Sequence, residues 1–203
     1  MKSFLRLFAA VVVLSCILLS SCAEKAPAYS AEYLEKKLSL PYVIEGTLTQ
    51  NGEKYTVSVE SGENFRVKFL SGDVTEGLTV EFFDNGVFLF FDDLRFKTNA
   101  DAFTSLEALE KAFGKLSAPD VKKYVTDTEP VSGIALIEVA VIDDDGEVRA
   151  LVNKSDGTVA RVTVVTQYAN LALDIKLFTG GFAPAVSTYE EQQVYDVVDD
   201  YIE

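Results

Sequence analysis

The sequence contains no histidine and no tryptophan, and it has only two cysteines, Cys16 and Cys22. The absence of histidine excludes Ser-His-Asp and Cys-His catalysis, together with the usual His-ligated zinc sites. Cys16 lies in an apolar leader, and Cys22 ends that leader, so a mature domain after Cys22 has no thiol for a disulfide, a nucleophile or a metal ion. Catalysis by Asp and Glu alone and Ser-Lys catalysis are compatible with this composition, whereas most common hydrolase mechanisms are not.

Basic residues are scarce as well. The chain has 18 Lys and Arg against 32 Asp and Glu, which gives a formal net charge of −14. Such an acidic surface repels phosphate backbones, and the sequence therefore argues against nucleic-acid binding. It also repels an anionic membrane surface, so attachment to a membrane has to come from a lipid and not from a basic patch.

The first 22 residues have the pattern of an exported lipoprotein precursor. Lys2 and Arg6 precede an apolar run, Leu7–Leu19, which is too short for a comfortable bilayer span. The following Leu19-Ser20-Ser21-Cys22 resembles the bacterial lipobox. This resemblance implies that Cys22 is acylated and becomes the first residue of the mature chain. The alternative is an ordinary signal peptide with an incidental cysteine.

Cleavage before Cys22 divides the chain into a signal peptide (1–21), a lipidated tether (22–31) and a single domain (32–203). Removing 21 residues from 203 leaves 182, enough for one domain with a substantial core, and the loss of two cations lowers the net charge to about −16. Two or more acyl chains hold a protein stably on a bilayer. We therefore expect the mature protein to be anchored to the extracytoplasmic side of a cell membrane.

Most of the domain has the alternating pattern of antiparallel strands. Asn-Gly turns at Asn51-Gly52 and Asn85-Gly86 separate extended runs and predict two hairpins. Helices are predicted from caps and 3.6-residue periodicity at Ser30–Ser39, after the capping box Thr104–Glu107, from Ser117 to Val125, and at Ser187–Glu203.

The second hairpin carries large apolar side chains on both faces. Strands of this kind are covered on both sides, or one side faces apolar material that is not part of the chain. Two interpretations stay open. Either helices and the curvature of the sheet enclose a filled core, or aromatic side chains line a ligand cavity, for which the candidates are Phe82, Phe88 and Phe90.

The acidic clusters do not have the spacing of catalytic or metal sites. Asp143-Asp144-Asp145-Gly146 departs from an EF-hand loop because its twelfth position is Lys154, and it predicts a hairpin tip. Neighbouring carboxylates at Asp92-Asp93 and Asp199-Asp200 diverge in a strand or a helix. We predict no catalytic residue, no metal site and no cofactor; a long-range carboxylate pair in a cleft is a third possibility.

Several features together resemble the lipoprotein-carrier (LolA/LolB-like) superfamily. They are the lipobox, a short first helix, strands containing Gly46-Thr47-Leu48-Thr49 and Tyr55-Thr56-Val57-Ser58-Val59, a helical insert, and long strands crossing turns such as Lys154-Ser155-Asp156-Gly157. The resemblance spans roughly residues 30–178. It implies an α+β fold in which a strongly curved antiparallel sheet, a half-barrel, has helices covering its concave face around an apolar cavity.

Two features depart from that family. Its soluble carriers are not lipidated, whereas Cys22 tethers this chain, and the C-terminal segment Ser187–Glu203 extends past the shared fold. We predict a membrane-anchored, non-catalytic lipoprotein that binds a lipid or another hydrophobic ligand. The alternative is a structural or regulatory interaction module of the cell envelope with a filled core, whose protein partner is unknown.

Overall fold

The computed structural model describes residues 31–72, 74–180 and 195–196. Cys22 and the predicted cleavage site lie outside these residues. Two α-helices are described, α1 (Ala31–Leu38) and α2 (Thr104–Ser117), and a 3₁₀ helix, Ala100–Phe103, leads directly into α2. The strands are β1 (Tyr42–Gln50), β2 (Glu53–Ser61), β3 (Phe65–Phe69), β4 (Thr79–Phe83), β5 (Gly86–Phe91), β6 (Leu94–Thr98), β7 (Tyr124–Asp127), β8 (Leu136–Asp143), β9 (Gly146–Asn153), β10 (Val159–Thr166), β11 (Asn170–Gly180) and β12 (Tyr195–Asp196).

All the strands belong to one open sheet. Their order is β12-β6-β5-β4-β3-β2-β1-β11-β10-β9-β8-β7, and every neighbouring pair is antiparallel except β12 beside β6. Strands β1 and β11 form the central pair, which joins an N-terminal half to a C-terminal half. The predicted fold class is thus confirmed as an antiparallel sheet accompanied by two α-helices.

Local turn chemistry produces the hairpins that the sequence predicts. Asn51 (φ 53°) and Gly52 (φ 86°) both adopt the left-handed conformation that a two-residue β1–β2 turn needs. The Asp143–Gly146 segment is a hairpin tip between β8 and β9, as expected. Asp92, with φ 50°, lies in the tight turn between β5 and β6, so the Asp92-Asp93 pair is a second acidic tip.

Two helix predictions differ from the structure. The helix expected from Ser117 to Val125 is wrong: α2 ends at Ser117 because Ala118 is extended, and Tyr124 begins β7, an exposed edge strand on β8. The capping box at Thr104 is also wrong. The 3₁₀ helix runs into α2 without a break, so the cap moves upstream to Asn99, whose side chain accepts a hydrogen bond from the Asp101 N–H (3.4 Å).

The predicted C-terminal helix, Ser187–Glu203, lies outside the described residues except at Tyr195–Asp196. These two residues are a strand, β12, which pairs in parallel with Phe96 and Lys97 of β6. The backbone at this point is therefore extended and does not continue the predicted helix.

Both helices pack against the same face of the sheet, here named the inner face. Leu34 of α1 and Leu109 of α2 are fully buried in one core cluster with inward side chains from both halves of the sheet, such as Ile44 and Leu173. Phe113 of α2 bridges α2 to the N-terminal half. Its ring centroid is 5.4 Å from that of Tyr42 and 6.1 Å from that of Phe65. The middle of the inner face is therefore filled by side chains.

The burial of Glu110 of α2 can be tested by measuring how stability depends on pH. It borders a small cavity of about 220 Å³ next to Tyr42 and Phe113, and burial, reinforced by the charge of Glu107 and opposed by Lys111, raises the pKa of Glu110 above its ordinary 4.5. The folded protein then binds this proton more readily than the unfolded chain. The contribution of Glu110 to the free energy of unfolding is therefore most favourable below pH 4.5, and it falls as pH rises through the pKa that Glu110 has in the folded protein.

We expect Glu110→Gln to raise the free energy of unfolding at pH 7, by less than about 1 kcal/mol because Glu110 is partly exposed. The gain should shrink as pH falls from the raised folded pKa of Glu110 toward 4.5, and it should be lost below 4.5. Urea titrations at several pH values measure it, with the exposed Glu76→Gln as a control for loss of one charge. A constant difference across the pH range would contradict the burial argument.

Candidate functional site

The three phenylalanines predicted to bind a ligand lie on two faces of the sheet. Phe82 points to the inner face, where its ring centroid is 6.1 Å from that of Phe65. The β4–β5 register pairs Phe82 with Val87 and Glu81 with Phe88. Because side chains alternate along a strand, Phe88 and Phe90 point to the opposite face, here named the outer face. The structure does not bring the three together around one cavity.

A cavity of about 410 Å³, here named the sheet–helix pocket, opens on the inner face between the N-terminal half of the sheet and the start of α2. This volume lies within the range of small-molecule sites. Its lining residues are Gln50, Asn51, Glu53, Tyr55, Phe69, Thr75, Leu78, Ala102, Phe103, Thr104, Ser105 and Leu106. Phe69 and Leu106 are the buried apolar wall, and Tyr55 stands edge-on to Phe69 with ring centroids 5.5 Å apart.

Polar groups of the pocket are mostly engaged with one another. Gln50 Nε2 donates to Ser105 Oγ (2.9 Å) and so links β1 to α2. The Tyr55 hydroxyl donates to Glu53, and this hydrogen bond raises the pKa of Tyr55. Thr75 Oγ1 differs, because it is buried and has no hydrogen-bond partner within the described part of the chain. A buried hydroxyl of this kind is available to a polar group of a bound ligand.

Exposed apolar side chains continue from the pocket along the inner face. Leu78 lines the pocket. It immediately precedes Thr79, which pairs with Phe90, so Leu78 lies opposite Phe91. Phe91 in turn pairs with Leu94 of β6. Phe91 is 40% exposed and Leu94 is 47% exposed. We name Leu78, Phe91 and Leu94 the apolar strip. It extends the wall of the pocket toward the edge of the sheet.

A second groove, of about 550 Å³, lies between α2 and the strands β9 and β10. Its lining is rich in charged side chains, with the exposed Tyr168 at the rim. Lys115 spans it and contacts Asp143 at 2.8 Å and Asp145 at 3.1 Å. The carboxylates of the β8–β9 tip thus serve to hold α2. Among the described residues, no group of three or more acidic, His or Cys side chains is placed to hold a metal ion.

The sequence prediction singled out the phenylalanines of β4 and β5 and missed the pocket residues of β2, β3 and the 3₁₀ helix. The alternation of Phe65-Arg66-Val67-Lys68-Phe69 already indicates that Phe69 faces the core. Nothing local indicates that Phe103 lines the same pocket as Phe69, because this depends on where the helical insert returns to the sheet. No described helix is long and apolar enough to cross a membrane.

Comparison with known proteins gives similarity in structure only. No family model matches the chain, and neither does any curated protein sequence. An uncharacterized conserved protein from Thermus thermophilus has a TM-score of 0.48 and 16% identity, over 80% of this chain and 94% of that one. The lipoprotein LppX of Mycobacterium tuberculosis has a TM-score of 0.38 and 9% identity, over 75% and 95% of the two chains.

A LolA superfamily protein from Nitrosomonas europaea is similar over 77% of this chain and 94% of its own length, with a TM-score of 0.33 and 13% identity. The structures similar to this chain therefore include a LolA superfamily protein and a mycobacterial lipoprotein, as the sequence resemblance to lipoprotein carriers led us to expect.

Proposed function

We propose that the mature protein is a non-catalytic, lipid-anchored protein that binds a lipid or another hydrophobic ligand on the extracytoplasmic side of a cell membrane. The observation that carries the proposal is the sheet–helix pocket with its continuation, the apolar strip. Together they offer a buried apolar wall, a partly exposed apolar approach and one unpartnered hydroxyl, Thr75 Oγ1. Six of the twelve pocket-lining residues are apolar or aromatic, and with the strip they provide a surface for an apolar ligand that has a polar end.

Anchoring is the second part of the proposal. Acylation of Cys22 attaches the acidic domain to the bilayer through the predicted tether (22–31), whose last residue begins α1 in the structure. We further propose that the sheet is a strongly curved half-barrel whose concave side is the inner face. The helices then close the concave side at its middle, and the pocket with the apolar strip is the part that they leave accessible.

The direct experiment is organic extraction of the purified, acylated mature protein followed by mass spectrometry, together with uptake of a fluorescent fatty acid and a fluorescent phospholipid. We expect a co-purifying apolar molecule or saturable uptake of at least one probe. A preparation that carries no apolar molecule and takes up neither probe would contradict ligand binding. Intact mass spectrometry of the same preparation tests acylation at Cys22 separately.

Replacement of Leu78 by glutamate should weaken probe binding at least tenfold. The change places a carboxylate at the junction of the pocket and the strip, and an ionised group in an apolar contact surface loses its hydration without compensation. Ile142→Glu is the matched control, because Ile142 is 56% exposed on β8 at the other end of the sheet. Equal probe affinities of the two variants, with both folded by circular dichroism, would exclude the pocket as the site.

A specific observation also supports an interaction module. The middle of the inner face is solid with Phe65, Phe82 and Phe113, and the apolar strip is exposed at the sheet edge, where a protein surface could dock. Cross-linking in cells discriminates the two functions. A specific protein partner lost in Leu78→Glu, without any extractable ligand, favours the module.

A further inference from the structure

The connection between β7 and β8 ends in an exposed apolar hairpin. Beyond the paired strands, the chain turns at Ser132 (φ 51°) and Gly133 (φ 80°), both in the left-handed conformation of a tight two-residue turn. Val131 and Ile134 flank the turn and are 57% and 48% exposed. We name residues 130–135 the apolar tip. Large apolar side chains that project together from a surface are typical of contact sites.

Few polar groups of the apolar tip need water. The run from Pro130 to Ile137 contains no charged residue, although 25% of the chain is charged. Val131 and Ile134 also satisfy each other's backbone, because each N–H donates to the carbonyl oxygen of the other, at 3.1 and 2.9 Å. A backbone that is paired within its own hairpin enters a lipid environment at a lower cost than an unpaired backbone. These properties fit the headgroup layer of a bilayer.

Direct contacts join the base of the apolar tip to α1. The Lys154 N–H donates to the Ala135 carbonyl oxygen (2.9 Å), and Lys154 Nζ lies 2.7 Å from Asp127 Oδ1 at the end of β7. In the same β9–β10 turn, the Gly157 carbonyl oxygen accepts a hydrogen bond from Lys37 Nζ of α1 (3.4 Å). The apolar tip and α1 therefore lie at one end of the sheet, here named the tether end.

The predicted tether joins the domain close to this end. Helix α1 has eight residues and is about 12 Å long, so its first residue, Ala31, lies within about that distance of the tether end. The part of the tether before α1, residues 22–30, spans up to about 30 Å when extended. An anchor at Cys22 thus lets the apolar tip reach the same bilayer and keeps it there at a high effective concentration. A contact too small to attach a protein by itself is then sufficient to orient it.

We propose, on the basis of the proposed acylation of Cys22, that the apolar tip is a membrane contact. It inserts Val131 and Ile134 into the headgroup layer of the bilayer that holds the lipid anchor. Glu129, which is exposed at the base of the tip, limits the depth of insertion, because a carboxylate that leaves water without a partner is strongly disfavoured. The tethered domain consequently has a preferred orientation on the membrane.

This orientation determines where the sheet–helix pocket lies. Strand direction alternates from β8 to β1, so β1 begins at the tether end and the β1–β2 turn lies at the opposite end, about 27 Å along the strand. Gln50 and Asn51, at that turn, line the pocket. The pocket is then at the end of the sheet away from the anchoring membrane.

Tryptophan fluorescence tests the contact, because the chain has no native tryptophan and, after cleavage, no thiol except Cys22. The complete mature chain is coupled through this thiol to a maleimide lipid in phosphatidylcholine vesicles that contain brominated acyl chains, which quench nearby tryptophan. Ile134→Trp reports the position of the apolar tip. Ile142→Trp is the matched control, because Ile142 is 56% exposed at the other end of β8, about 27 Å from Ile134. Both variants carry the same aromatic reporter, so its own affinity for lipid cancels.

We expect the brominated chains to reduce the emission of Ile134→Trp at least about twofold more than that of Ile142→Trp, and Val131→Asp in the Ile134→Trp background to remove this difference. Equal quenching at the two positions, quenching at neither, or no effect of Val131→Asp would overturn the proposal, with circular dichroism confirming that each variant is folded.

Failure of the membrane contact and failure of the proposed function are distinguishable. A tip that stays in water leaves the acylation of Cys22, measured by intact mass, and the uptake of fluorescent lipids unchanged. Because the maleimide link replaces the acyl group, a native protein that proves unacylated would contradict the anchoring without altering the quenching measurement.

Discussion

Replacing Gly46 with alanine is expected to lower the free energy of unfolding by about 2–3 kcal/mol, since overpacking in a well-packed core has about that cost. Gly46 lies in β1 at the central pair of the sheet, where the β1–β11 register shifts between Glu45 and Gly46. A Cβ at this position would lie 2.3 Å from the backbone oxygen of Asp174. This oxygen belongs to β11, which is paired with a neighbouring strand on each side. It cannot move alone, so the two halves of the sheet would have to shift relative to each other.

Gly114→Ala is the matched control for Gly46→Ala. Gly114 lies inside α2, and a Cβ there meets nothing within 4 Å. Alanine removes the backbone entropy cost of glycine in a helix, so this variant should gain about 0.5–1 kcal/mol. Urea unfolding followed by circular dichroism measures both variants. Similar effects of the two substitutions would show that the close approach at the β1–β11 bulge does not constrain the sheet.

The strands were predictable from sequence to the extent that their causes are local. Asn51-Gly52 supplies two residues that tolerate positive φ, and the runs on either side alternate, so β1 and β2 could be placed within about one residue. The strand β3 was predictable for the same reason, because Phe65, Val67 and Phe69 alternate with cations. In each case the turn or the alternation lies within the segment that forms the element.

The candidate site was harder to predict because its contacts are not local. The sequence shows that β4 and β5 are apolar on both faces, but which face meets the helices depends on the register with β3 and on the path of α2. Phe82 therefore lies in the core, while Phe88 lies across the sheet beneath Arg95. The sequence pattern could indicate neither that Phe103 reaches the sheet–helix pocket nor that Thr75 keeps a buried hydroxyl.

Errors in the helix predictions have a common origin. Each helix prediction relied on a short local motif, but the segment just before or just after the motif adopts a different structure. The Thr104 capping box is replaced by a 3₁₀ helix that supplies the first turn, and Tyr124 and Val125 pair with the edge strand β8 as part of β7. In the first case the competing structure is the adjacent 3₁₀ turn, and in the second strand pairing outweighs a weak local helix preference.

Removal of the Glu35 carboxylate should be among the most destabilising changes in the helices. Lys123, in the connection between α2 and β7, is only 2% exposed, and its ammonium lies 2.8 Å from Glu35 Oε1 on α1. It also donates to the carbonyl oxygens of Ala118 and Val121. The pair thereby fastens α1 to the end of α2. Glu35→Ala leaves this buried cation with two neutral acceptors and no counter-charge, a loss of about 3 kcal/mol.

Two comparisons separate this buried pair from ordinary helix effects. Glu107→Ala removes the carboxylate of an i, i+4 pair with Lys111, which is 66% exposed, and should cost about 0.3–0.5 kcal/mol. The double variant Glu35→Ala, Lys123→Met removes both charges and should recover most of the stability lost in Glu35→Ala, because the penalty comes from the unpaired ammonium and not from the missing contact. Thermal unfolding of the four proteins, followed by circular dichroism, gives the order. A double variant no more stable than Glu35→Ala would instead assign the loss to packing of the glutamate stem between the helices.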